Sequence, residues 1–173
     1  MTNRLAGFAA TSSTLLFTLG CDPATGDPEL VRVALDTLAG ECTRVGGTPH
    51  IERAVQRADL NADGHGDYVL YAGWIECGNA ASIYGDRTKS VAVFCGDGRG
   101  GAAETFADSV YDARIESGSS SAPRLWMTVS AELCGRPPAL TFAAESFCDR
   151  AIDWNAATGR FDYAPLDTIR MIE

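Results

Sequence analysis

Lysine is nearly absent from this chain: Lys89 stands alone, and the remaining basic residues are arginines. Against 14 Lys+Arg there are 23 Asp+Glu, which leaves a net charge of −9. A surface of that sign repels polyphosphate, so the composition argues against nucleic acid as a partner and favours attraction of cations. Histidine is almost as scarce, with only His50 and His65. There is no Cys-x-x-Cys pair and no cysteine–histidine ladder, so the spacings that hold structural zinc or c-type haem are missing. The G-x-S-x-G elbow and the H-E-x-x-H helix are missing too. Cys95 to Gly101 is glycine-rich but lacks the Lys-Ser/Thr of a phosphate loop, and reads as a hairpin turn. No stretch is comfortably long enough to span a membrane. Leu5 to Gly20 carries no charge, but it is short and is interrupted by Thr11-Ser12-Ser13-Thr14.

That N-terminal stretch has a different use. Arg4 supplies a basic tip, Leu15, Leu16, Phe17 and Leu19 an apolar core, and Gly20 a small residue before a cut. This is the layout of a secretory signal over residues 1–20, and it predicts export to the periplasm or beyond. The remainder, 21–173, has the length and the ordinary hydrophobic share of one domain with a real core. Thr18-Leu19-Gly20-Cys21 resembles a lipoprotein box, which implies contact with a membrane only if Cys21 is acylated. The six cysteines, at 21, 42, 77, 95, 134 and 148, lie scattered, and in an exported chain that pattern predicts disulfides. Cys134 and Cys148 flank the turn Gly135-Arg136-Pro137-Pro138 and form the first expected pair. Cys77 and Cys95, at the ends of neighbouring candidate strands, form the second. Cys42 is then left to pair with Cys21 or to stay free.

Periodicity predicts an α+β fold, a mostly antiparallel β-sheet with one N-terminal amphipathic helix. Asp27 suits a helix cap and Pro28 a first helical position. Leu30 or Val31, Ala34 or Leu35, and Leu38 then recur on one face, with Gly40 and Gly46-Gly47 as stops. From residue 51 the period becomes two. Strands are expected at Ile51 to Arg57, Asp67 to Ala72, Ser90 to Cys95 and Arg124 to Ser130. A hairpin of Ala151 to Trp154 with Arg160 to Tyr163 closes around Asn155 to Gly159. Residues 104–116 fit either a helix turn or an extended run.

The chemistry concentrates between two of these strands, in Asp59-Leu60-Asn61-Ala62-Asp63-Gly64-His65-Gly66-Asp67. Oxygen side chains occupy every second position and are followed by a glycine able to take positive φ. A hard cation such as Ca²⁺ takes six to eight oxygens at about 2.3–2.6 Å. Turn chemistry alone favours Asp, Asn and Gly here, but three carboxylates crowded into one turn repel one another without a counter-ion. The D-x-N-x-D-G-x-x-D string resembles the calcium loop of EF-hands, dockerins and FG-GAP-type secreted β repeats. The resemblance implies Ca²⁺ held by the side chains of Asp59, Asn61 and Asp63, by the backbone carbonyl of His65, and by Asp67 directly or through water. The EF-hand's closing glutamate position is Leu70 here, inside an apolar strand pattern. The loop is therefore more similar to the strand-flanked version, and a calmodulin-like switch is not expected. The order of features also resembles a loose group of uncharacterised exported bacterial proteins. It includes Cys42, the acidic loop, Cys77, Cys95, Cys134 and Trp154 with Gly159-Arg160-Phe161.

Catalysis finds little support. His65 lies inside the acidic loop and His50 follows Thr48-Pro49 at a loop-to-strand boundary. Glu76, Asp86, Asp97, Glu132 and Glu145 are available as carboxylate pairs, but nothing sets two of them across one cleft. Trp74, Tyr71 and Tyr84 cluster near the loop, and Trp126 points away from Leu125 and Met127 if that strand alternates. Such aromatics form either an exposed row for sugars or a protein, or a second, helix-covered face. The expectation is an exported, calcium-stabilised, non-catalytic domain, a binding module for a protein or glycan. One alternative is a periplasmic hydrolase inhibitor that plugs its target with residues 117–122 or 96–101. A further alternative is a weak carboxylate-dependent hydrolase.

Overall fold

A computed structural model describes residues 28–118 and 122–172. The expected signal segment 1–20, Cys21 and the Asp27 cap lie outside the described residues. One helix, α1 (Glu29–Arg44), precedes a run of strands: β1 (Thr48–His50), β2 (Val55–Ala58), β3 (Asp67–Tyr71), β4 (Glu76–Gly78), β5 (Lys89–Gly96), β6 (Ala102–Val110), β7 (Asp112–Glu116), β8 (Arg124–Ser130), β9 (Phe147–Asn155), β10 (Arg160–Tyr163) and β11 (Arg170–Met171). Every pairing among them is antiparallel. One sheet runs β2-β3-β5-β6, a second runs β10-β9-β8-β7 with β11 on β9, and β1-β4 form a separate ribbon. The α+β expectation, mostly antiparallel with one helix, therefore holds.

Two-sided burial explains why β3 and β5 read as nearly continuous apolar runs. Val69, Tyr71, Val91 and Val93 point into the space between the two sheets, where they meet Leu125, Met127, Val129 and Ile152. Leu70 and Phe94 point the other way, onto Val31, Ala34, Leu35 and Leu38 of α1. The order of layers is helix, first sheet, second sheet. The helix stripe thus begins at Val31, while Leu30 and Val33 face solvent. Gly40 does not end α1, because nothing crowds its open side and Cys42, two residues on, is fully buried. The stop comes at Gly46, whose φ of +81° a side chain tolerates poorly.

The ambiguous 104–116 stretch is extended throughout. Its chain leaves the first sheet as β6 and enters the second as β7, turning at Tyr111. There the backbone N–H donates to Thr128 O at 2.9 Å, and the carbonyl accepts from the Tyr71 hydroxyl at 3.1 Å. The Asn155 to Gly159 hairpin is present, with Arg160 opposite Asn155.

Cys134 is bridged to Cys148 as expected, but Cys77 pairs with Cys42 and not with Cys95. The expected pair fails because β4 is no neighbour of β5: it pairs with β1, and β5 lies between β3 and β6. Cys95 is also disulfide-bonded. These bridges fit an oxidising compartment. Among the described residues, no helix is long and apolar enough to cross a membrane.

Gly47 is wedged against the Cys42–Cys77 bridge. A Cβ there would lie 2.3 Å from Cys77 Sγ and 2.8 Å from both Cys42 Sγ and Gly78 O. Disulfide and backbone cannot swing aside as a flexible side chain does. Gly47→Ala is therefore expected to cost about 2 kcal/mol, read as a lower urea midpoint, whereas Gly40→Ala should stabilise the helix.

Candidate functional site: the acidic loop and its neighbours

Residues 59–66 connect β2 to β3, and their backbone is folded inward by two left-handed residues, Ala62 at φ 59° and Gly64 at φ 86°. Alanine in that region costs about 1–2 kcal/mol, so the loop's own bonds must hold it there. They are numerous. Asp59 accepts from the N–H groups of Asp63 (3.1 Å) and Gly64 (3.0 Å), one on each carboxylate oxygen. Asn61 Oδ1 also accepts from Asp63 N–H (3.1 Å), and Asp63 accepts from His65 N–H (2.8 Å). Asn61 Nδ2 donates to Asp63 (2.9 Å) and lies 3.3 Å from Cys95 Sγ.

Asp67 differs from the others. It opens β3 on the face that carries Val69 and Tyr71, and it is 0% exposed. Its two oxygens accept from Leu60 N–H (2.9 Å) and Gly96 N–H (3.2 Å), stapling the loop to the end of β5. Burial pushes its carboxyl up to about 6. The two N–H bonds oppose that shift, and the nearby Asp63 and Asp59 add to it. None of the ion pairs among the described residues involves Asp59, Asp63 or Asp67.

The structure thus gathers Asp59, Asn61, Asp63 and Asp67 into one turn, with His65 on its outer side. As they stand, no three described His, Cys, Asp or Glu side chains form a group able to hold a metal. The loop's oxygens are bonded chiefly to its own backbone instead, with the Asn61 amide on Asp63 and Gly96 N–H of β5 on Asp67. The donor set still suits a hard cation. All of its side-chain donors are oxygens, and a carboxylate oxygen that accepts one N–H keeps a second lone pair. Leu70 sits in β3 opposite Val55, so no carboxylate closes the loop at that position.

Sequence reasoning missed the partner of this loop, the β5–β6 hairpin at 97–101. Gly96 lies against the loop so tightly that a Cβ there would be 2.3 Å from Gly66 O, and a Cβ on Gly98 would meet His65 Nδ1 at 2.3 Å. The hairpin is rigid in its own right. Asp97 Oδ1 accepts from Arg99 N–H (2.7 Å) and Gly101 N–H (2.8 Å), and those bonds hold its carboxyl below the usual range. Of the other candidate carboxylates, Glu145 caps Ala131 N–H at 2.9 Å, while Glu76 lines an open cleft beside His50.

Of the two readings of the aromatics, the covered face is the one that forms, and the exposed row does not. Tyr71 is in the core between the sheets, and the Tyr84 hydroxyl is tied to Leu38 O of α1 at 2.9 Å. Trp126 is buried beside Ala151 and Ala164, under the Arg170 guanidinium 3.5 Å from its ring. The second face is covered by the helix over β3 and β5, and by these residues over β8. No protein-family model, curated protein or solved structure matches the chain.

Proposed function

We propose that this chain is an exported, calcium-stabilised, non-catalytic domain that binds a protein or glycan partner. The reading is carried by three carboxylates and an amide drawn into one turn, at a place where the backbone is already bent around them; among the described residues no ion pair engages the three carboxylates. Divalent charge would relieve their mutual repulsion, worst at buried Asp67. The disulfides support an oxidising setting for such a domain. Kinship with exported bacterial proteins bearing a single loop of this kind is part of the same proposal. Without a bidentate glutamate at Leu70, affinity belongs in the range of extracellular modules, about 10⁻⁴–10⁻³ M.

Calcium is expected to raise the unfolding midpoint. At about 10 mM Ca²⁺ such affinities stabilise by about 1.4–2.7 kcal/mol, equivalent to roughly 3–10 °C for a domain of this size. Asp63→Ala should abolish the response while changing metal-free stability by less than about 1 kcal/mol, since Asp63 is exposed. Calorimetry with Ca²⁺ and Mg²⁺ checks this, and absence of heat with both metals removes the ion from the reading.

A second reading, a hydrolase inhibitor, is favoured by an element other than residues 117–122 or 96–101. The Cys134–Cys148 bridge pins a loop on which Leu140 is fully exposed and Phe142 half-exposed. A rigid loop presenting an apolar tip suits insertion into a partner's pocket. Loss of binding to a captured hydrolase in Leu140→Asp would distinguish it.

A further inference from the structure

The β1–β4 ribbon is flanked by two open clefts that share His50 and Glu76, residues opposite each other in its register. The first, of about 260 Å³, is lined by His50, Glu52, Arg53, Trp74 and Glu76. The second, of about 440 Å³, continues past Gly73, Gly78 and Lys89. Trp74 is half-buried, with its ring edge-on to Tyr71 at 5.4 Å between centroids. The core therefore holds the indole while leaving part of it to line the cleft.

What sets this cleft apart is the state of its charges. Around Trp126 on the second sheet the arginines are all engaged. Arg114 pairs with Asp149 and Glu116, Arg170 with Glu116, and Arg124 with Asp153. In the Trp74 cleft, by contrast, no ion pair or side-chain hydrogen bond among the described residues engages His50, Glu52, Arg53 or Glu76. Polar groups on two stretches of chain face one concavity beside a fixed aromatic ring, and their bonding capacity is unspent.

We propose that this cleft binds a neutral oligosaccharide, with a pyranose ring stacked on Trp74 and its hydroxyls bonded by Glu52, Arg53 and Glu76. The inference rests on the binding-module reading and gives it a site and a ligand class. A sugar ring offers an apolar C–H face, which suits an indole, and a rim of hydroxyls that both donate and accept. Carboxylates accept from that rim and a guanidinium donates to it. In the first cleft two carboxylates stand against one arginine, and in the second the Lys89 ammonium donates to Gly85 O, which disfavours an anionic ligand, as does the chain's charge of −9. A peptide would need apolar pockets for alternate side chains, and the first cleft is lined by one aromatic ring among ionisable groups. The adjoining second cleft leaves room for more than one sugar residue.

Titration of the calcium-loaded chain with cellotriose, tri-N-acetylchitotriose and maltotriose, read by tryptophan fluorescence and calorimetry, tests the inference. At least one sugar should bind with a Kd in the millimolar range or tighter. Trp74→Ala is expected to weaken that binding at least about tenfold. Because Trp74 also packs on Tyr71, the exposed double variant Glu52→Ala/Arg53→Ala serves beside it. It should weaken binding several-fold with an unchanged unfolding midpoint. Absence of binding by all of these sugars overturns the proposal, as does binding that the double variant leaves intact. A silent sugar titration beside an intact calcium response removes the cleft and leaves the loop's metal standing.

Discussion

With Cys42 and Cys77 both replaced by alanine, the chain is expected to unfold about 4 kcal/mol more readily than the parent. The bridge spans a sequence separation of 35, and closing a loop of that length restricts the unfolded chain more than closing the one between Cys134 and Cys148, with a separation of 14. For the shorter loop the same reasoning yields about 3 kcal/mol. The two losses also differ in where they act. Cys42 lies in the last part of α1 and Cys77 in β4, so their bridge fastens the helix to the β1–β4 ribbon. Without it α1 is held by Val31, Ala34, Leu35 and Leu38 on the first sheet, and by the Tyr84 hydroxyl on Leu38 O. Urea unfolding measures the global loss. Hydrogen exchange should show the α1 amides losing protection in the Cys42/Cys77 variant, but not in the Cys134/Cys148 variant. Equal loosening of α1 in both variants would contradict this division of labour.

Why that pairing escaped sequence reasoning is instructive. Alternation in Val91-Ala92-Val93-Phe94-Cys95 announces a strand, but carries no information about which strand lies beside it. Adjacency in the chain suggested β4, yet β4 turns away into its own ribbon. Cys134 and Cys148 were legible because a short turn between them leaves little choice of partner. The helix was legible from its stripe, but not its length. Gly40 reads as a stop in one dimension and is harmless in three, where its side of α1 is open. Residues 104–116 were ambiguous because one strand serves two sheets and changes its buried face at Tyr111. Trp126 was legible as to its face, but not as to what covers it. Its strand does alternate, but Ala151, Ala164 and Arg170 cover the outward face.

The acidic loop was the most readable feature, since its spacing alone put Asp59, Asn61 and Asp63 on one turn. Burial of its last member was not readable. Asp67 joins the Val69–Tyr71 face because it is first in the same strand, and that makes it part of the space between the sheets. The Gly96 contact and the Cys134–Cys148 loop tip likewise depend on the arrangement of strands, to which no local pattern gives access. The ionisable groups around Trp74 come from two stretches of chain, 50–53 and 74–76, which the β1–β4 pairing brings together.

Buried Asp67 makes metal-free stability fall as the solution becomes less acidic. Its carboxyl titrates at about 6 in the folded chain, against 3.8 ordinarily. Between those values the folded state keeps a proton that the unfolded state has released, so stability decreases with rising pH. The contribution is fully present below the ordinary value and is lost as pH climbs through about 6. Its size is on the order of 3 kcal/mol. Other carboxylates act in the opposite direction. Asp97, held down by backbone N–H groups, and Glu116, held down chiefly by Arg170, withdraw their support as the solution is acidified toward their ordinary range. In metal-depleted buffer the urea midpoint should therefore peak at about pH 4–5. Saturating Ca²⁺ should remove the decline above the peak, since cation charge beside Asp67 favours its ionised form. Asp67→Asn provides the control. It eliminates the titrating group, retains one oxygen for Leu60 or Gly96 N–H, and should flatten the curve between about pH 4 and 6. A decline of equal steepness in that variant would assign the effect to other groups and leave Asp67 as a backbone staple alone.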